Sequence, residues 1–209
     1  MTQIRTRDFV VGMGLATAVW TAAFRGRSHF WHKMGIGVGS LGAYALIVNP
    51  ELRSERPRLL RDIGVGLASA AALYGIFRFG DQFARRYMPN GAGDIDEVYA
   101  RRRMASKRFI APVLALVIAP GEELFWRGLV NTYLQQRIGR VKGSALGAVI
   151  YGAIHLITGN LTLTGAAGIA GAWWSLQHLF EGRLSSGIVS HVAWDTWIFL
   201  VQPTQPVED

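Results

Sequence analysis

The chain has 209 residues, half of them hydrophobic, with a mean hydropathy of +0.22 and a formal net charge of +8. It contains no cysteine, which excludes disulfide scaffolds, Cys-ligated zinc and Cys nucleophiles. The charges are clumped between apolar runs, as in a polytopic membrane protein, so the basic excess points to anionic lipid headgroups and not to nucleic acid.

Seven apolar segments follow in chain order. The first, roughly residues 9–24, comes after Arg5 and Arg7 and has the opening of a signal peptide. It runs on past a plausible hydrophobic region without a small-x-small cleavage site, so a first membrane helix is predicted. The second and third cover residues 34–48 and 63–79. Several segments fall short of the roughly 20 residues of a full span, so tilt, interfacial ends or bilayer thinning are expected. The connector over residues 80–108 holds Asn90-Gly91-Ala92-Gly93 and Arg101-Arg102-Arg103. It predicts a turn, then an interfacial helix over about residues 95–107 with its basic face on headgroups.

The fourth segment, residues 109–130, is interrupted by Pro120-Gly121 directly before two acids. Proline removes a backbone donor and kinks a helix, and the freed carbonyls need neighbours or water. A hydrated pocket is expected there. The last three segments cover residues 144–158, 161–180 and 186–201, and the polar tail over residues 202–209 is expected to fray. Gly35-x-x-x-Gly39 and Gly143-x-x-x-Gly147 suit close helix packing in lipid. Lys and Arg are shared almost evenly between alternate connectors, without the asymmetry that the positive-inside rule needs. No repeat or second domain is visible. The fold class is all-α: one transmembrane domain over residues 1–209, a helical bundle of about seven to eight spans.

Ionisable residues inside these segments are the informative feature. Each acid or Arg near a bilayer centre costs roughly 3 kcal/mol, and Glu122, Glu123, Arg127 and Asp195 together on the order of 10 kcal/mol if unpaired. Glu123 and Arg127 are four apart and can pair on one helix face. Glu122 points about 100° away, and its i+4 neighbour is Trp126, so it has no partner in its own helix. A lone carboxylate among apolar groups suits a general base. Tyr151 and His155 share a face, as do His191 and Asp195, and Asp195 is placed to orient His191 or to stabilise its protonated form. Taken singly, such groups are more often buried polar glue. His29, His32 and His178 are weaker candidates, and Trp31, Trp173 and Trp174 suit interface anchoring or packing.

Two chemistries fit the three clusters together. In one, Glu122 and His155 deprotonate a water that attacks a peptide carbonyl, while His191 and residue 195 stabilise the oxyanion. In the other, Glu122, His155 and His191 hold a zinc ion with an open position, although no His-Glu-x-x-His helix is present.

The three motifs are Glu122-Glu123-x-x-x-Arg127, Tyr151-x-x-x-His155 and His191-x-x-x-Asp195. In this order and placement the sequence resembles the CPBP family of intramembrane endopeptidases. That family includes the CAAX prenyl endopeptidases and bacterial (Abi-type) relatives linked to bacteriocin processing or self-immunity. The resemblance covers a core of about residues 109–201. It implies peptide hydrolysis within the membrane by a Glu- and His-activated water, without a cofactor, on a peptide or protein substrate. Glu122 would be the base, His155 its partner and His191 an oxyanion stabiliser, with Glu123 and Arg127 a structural pair. It also implies a multi-pass protein of a bacterial inner or plasma membrane. Two positions depart from the family pattern, Tyr151 for Phe and Asp195 for the Asn of the best-studied branch, and an ionised Asp cannot donate to an oxyanion. The alternatives are a non-proteolytic scaffold or self-immunity protein on the same fold, and an ion or proton pathway.

Overall fold

All seven apolar segments become helices, and an eighth fills the long connector. The computed structural model describes residues 3–26, 28–56 and 58–201, and no strand occurs among them. The helices are α1 (Thr6–Phe24), α2 (Phe30–Val48), α3 (Leu59–Tyr87), α4 (Gly91–Ala100), α5 (Lys107–Ile138), α6 (Arg140–Ile154), α7 (Leu161–Glu181) and α8 (Ser185–Thr196). A 3-10 turn, His155–Thr158, ends α6, and a π-turn, Trp197–Val201, extends α8. The fraying expected of residues 202–209 lies outside the described residues.

Among the described residues, three helical stretches are long and apolar enough to cross a membrane: α3, α5, and α6 with its 3-10 end. The outer surface is apolar as well. Ile36, Leu60, Leu116 and Phe180 are 72, 88, 75 and 82% exposed. Large apolar patches facing water are rare in soluble monomers, whereas a lipid-facing surface is made of them. The chain forms a helical membrane bundle.

Local chemistry sets the helix ends. Gly139, at a φ of +87°, separates α5 from α6, and Gly182, at +67°, closes α7 with its N–H on the His178 carbonyl. Asn160 caps α7, its side chain accepting the Leu163 N–H at 2.7 Å. The third apolar segment grows well beyond residues 63–79 because its flanking acids are paired. Asp62 is buried, accepts from the Arg58 N–H and the Ser185 hydroxyl at 2.7 Å each, and lies 3.3 Å from Arg183. Asp81 pairs with Arg85 at 3.0 Å.

The connector departs from expectation. Its helix begins at Gly91 and not near residue 95, because Asn90 takes the left-handed conformation (φ 61°) that turns the chain straight into α4. It ends at Ala100, and the arginine run falls in a 3-10 turn, Arg101–Met104. Arg101 is turned away from any basic face. It bonds Glu97 at 3.0 Å, and its guanidinium stands 5.1 Å from the Phe24 ring and 5.5 Å from Phe30.

Glycines hold the closest approaches. Gly35 and Gly39 face Val113 and Val117 of α5, while Gly143 and Gly147 face Gln135 and Asn131 in the α5–α6 hairpin. The main core joins α1, α2 and α5 through Trp20, Val38, Leu41, Phe125, Trp126 and Leu129. A smaller cluster of Leu73, Ala170 and Trp174 joins α3 to α7. The ionisable residues sit between the two.

Candidate active site

Glu122 and Glu123 lie where α5 changes its hydrogen-bond ladder. Pro120 has no N–H to donate and its ring crowds the carbonyl one turn back. A π-turn, Leu114–Ile118, precedes a single α-turn, Ala119–Glu122, and a second π-turn, Glu123–Asn131, follows. At the first, the Ala119 N–H reaches back to the Leu114 carbonyl. The interruption expected at Pro120-Gly121 is thus a widened ladder inside a continuous helix. Side chains take up carbonyls along the wide stretch: Thr132 Oγ1 donates to the Arg127 carbonyl at 3.2 Å, and Asn49 Nδ2 to that of Gly128 at 2.8 Å. Such wide turns often occur at functional sites.

The backbone of α2 presses on this turn. A methyl group on Gly121 would stand 2.8 Å from the Val38 carbonyl oxygen, and one on Gly42 would stand 2.9 Å from Gly121 Cα.

Glu123, Arg127 and His191 form one buried group. Arg127 Nη1 donates to Glu123 Oε1 at 3.1 Å, and Arg127 Nη2 to the Gly171 carbonyl at 3.1 Å. His191 Nδ1 lies 2.8 Å from the same Glu123 oxygen. Trp174 stacks on His191 with centroids 3.7 Å apart and planes within 17°. Its indole N–H donates to Ser190 Oγ at 3.1 Å, which fixes the stacked ring.

Glu122 finds its partner on another helix. Tyr151 donates its hydroxyl proton to Glu122 Oε2 at 2.7 Å. One turn on, α6 tightens, and the His155 N–H goes to the Gly152 and Ala153 carbonyls. That frees the Tyr151 carbonyl for His155 Nδ1, at 2.9 Å. The other ring nitrogen, Nε2, lies 3.2 Å from the indole nitrogen of Trp20 on α1.

A cavity of about 400 Å³ joins these groups. Glu122, Tyr151, His155, His191 and Asp195 all line it. Its other walls are mostly apolar, with Phe24 of α1, Met34 of α2, Phe77 of α3, Ile95 of α4 and Ala170 of α7 among them, and Asp81, Asp94 and Thr162 as polar exceptions. The α4 wall is tied down: Asp94 accepts from the Thr162 hydroxyl at 2.8 Å, and its carbonyl from Asn160 Nδ2 at 2.8 Å.

The three motifs therefore meet, with their internal pairing rearranged. Glu123 serves His191 as well as Arg127. Asp195, expected to orient His191, stands 3.6 Å from Nε2, beyond hydrogen-bond range. The carboxylate of another helix outcompetes the i+4 neighbour. Two tryptophans were missed, Trp20 and the contact role of Trp174. No local motif marks either, because each meets its histidine from a different helix. Trp31 is buried and donates to the Arg101 carbonyl at 2.9 Å, and Trp173 donates to Ser69 Oγ at 2.8 Å. His29, His32 and His178 do not line the cavity.

Among the described residues no three His, Asp or Glu side chains come together as a metal-holding group. The zinc set considered from sequence is engaged elsewhere, Glu122 with Tyr151, His155 with Trp20 and the Tyr151 carbonyl, and His191 with Glu123.

Residues 105–197 match the family model described as "Type II CAAX prenyl endopeptidase Rce1-like". The match bears out the resemblance read from the three motifs, contains all seven residues of the candidate site, and supports a CAAX-type intramembrane protease in general terms. No curated protein and no solved structure matches the chain.

Proposed function

We propose, given the family match over residues 105–197, that this chain is a multi-pass intramembrane endopeptidase that hydrolyses a peptide bond with a water activated by Glu122. The observation that carries the reading is the single cavity on which Glu122, Tyr151, His155, His191 and Asp195 converge inside an apolar bundle. Tyr151 occupies Oε2 of Glu122, which leaves Oε1 for a water. Glu122 takes a proton from that water as its oxygen adds to the substrate carbonyl carbon. When the C–N bond breaks, the same proton passes to the departing amine while the water's second proton stays on the new carboxyl group, leaving a carboxylic acid, an amine and an ionised Glu122. His155 stands beside this reaction on the cavity wall. His191 is held at Nδ1 by Glu123, so its Nε2 edge faces the cavity and Asp195 and would meet the negative charge that develops on the carbonyl oxygen. Mostly apolar walls strengthen such charge stabilisation relative to bulk water. The substrate is a membrane peptide or protein, the bilayer is a bacterial inner or plasma membrane, and basic connectors rest on anionic headgroups.

The test is proteomics of membranes from cells expressing the wild type or Glu122→Gln, looking for new peptide termini. A positioned general base contributes roughly 10²–10⁴-fold, so those termini should vanish in the variant. Equal amounts of a cleaved product from a folded Glu122→Gln protein would sink the assignment.

A further inference from the structure

The geometry points to Trp20, which lies outside the segment that matches the family, as the residue that sets the state of His155. This rests on the reading of His155 as a residue of the candidate active site. An indole nitrogen can only donate, so its partner, His155 Nε2, must be the acceptor. The proton of a neutral ring then sits on Nδ1, where the Tyr151 carbonyl accepts it at 2.9 Å. Both ring nitrogens are thereby assigned, with one tautomer and one orientation. Neither neighbour is free to yield. Trp20 is fully buried, and its ring meets His155 edge-on at 5.6 Å and Trp126 at 5.8 Å. The Tyr151 carbonyl is fixed by the tightening of α6 into the 3-10 turn.

The consequence is chemical. While the Trp20 bond lasts, Nε2 has no lone pair to offer a metal ion, because a ligating imidazole needs that pair. Nor can it take the proton of the attacking water, which must go to Glu122. His155 therefore shapes the cavity wall as a neutral ring of fixed orientation, and Trp20 is a positioning residue. The site works without a metal on His155.

Replacing Trp20 by 3-benzothienylalanine keeps the shape of the ring system and removes only the N–H, so folding is preserved. Trp20→Phe is a second variant that is made by ordinary mutagenesis. In the protein labelled with ¹⁵N at His and Trp and held in detergent micelles or bilayers, the wild type should show a through-bond N–N coupling between Trp20 and His155 Nε2. That resonance should stay in place when one equivalent of Zn²⁺ is added. Either variant should lose the coupling and shift the Nε2 resonance. Absence of the coupling in the folded wild type, or a Zn²⁺-induced shift of its Nε2 resonance, would overturn the proposal. The readout needs no substrate, so it succeeds or fails independently of the Glu122→Gln experiment.

Discussion

The two histidines on the cavity live in different surroundings. His155, at the end of α6, is held by an indole N–H and a backbone carbonyl. His191, on α8, has a carboxylate 2.8 Å from one ring nitrogen and another 3.6 Å from the second, under the face of Trp174. Neutral hydrogen-bond partners fix the first ring, and charges fix the second. Both begin as the same residue type four positions from a polar neighbour, so a motif locates an imidazole without saying which chemistry it is dressed for. That dressing comes from other helices.

The largest expected effect breaks the charged side, although the same guanidinium also stands 4.8 Å from the centre of the Tyr151 ring. Arg127→Leu leaves Glu123 buried without its guanidinium, and losing one member of a buried ion pair costs about 3–5 kcal/mol. Thermal unfolding in detergent should show a large drop. A stability equal to wild type would mean that Glu123 carries no charge needing Arg127, and the contrast between the two histidines would collapse. Tyr151→Phe comes next, because it removes the hydroxyl bonded to Glu122 but keeps the carbonyl that holds His155. A hydrogen bond to a charged group contributes about 1.5–3 kcal/mol. Cleavage should fall by roughly tenfold or more, yet by less than in Glu122→Gln, with the His155 resonances in place. Movement of those resonances would show that the two halves of the site are not separable. The smallest change is Asp195→Asn. Since Glu123, and not Asp195, is within hydrogen-bond distance of His191, this variant should keep substantial cleavage activity. Complete loss with normal folding would give Asp195 a part that the 3.6 Å separation does not.

What was legible in the sequence follows from the range over which each interaction acts. The Glu123–Arg127 pair is local, four residues on one helix, and spacing alone places it. Helix count and the segment hosting each motif follow from apolar runs of near-span length. Spacing offers His191 its i+4 neighbour Asp195, which stands at 3.6 Å, but it cannot show that Glu123, 68 residues away, reaches closer at 2.8 Å. Trp20 lies 135 residues from His155, in a segment with no motif, and nothing local announces the contact. The turn expected at Asn90-Gly91 is present, with the Gly91 N–H on the Met88 carbonyl at 3.1 Å, but the left-handed Asn90 completes it and Gly91 is already helical, so α4 starts before residue 95.

The contact between Gly121 and the α2 backbone carries a consequence of its own. Immediately before the proposed base, α5 is buttressed by a carbonyl oxygen of Val38, with no flexible side chain to absorb a displacement. Any atom added there must push a rigid strut, and Glu122 travels with it. A shift of about 1 Å at a reacting group can cost roughly 10²-fold in rate, so this joint sets the alignment tolerance of the whole catalyst from behind the carboxylate it serves.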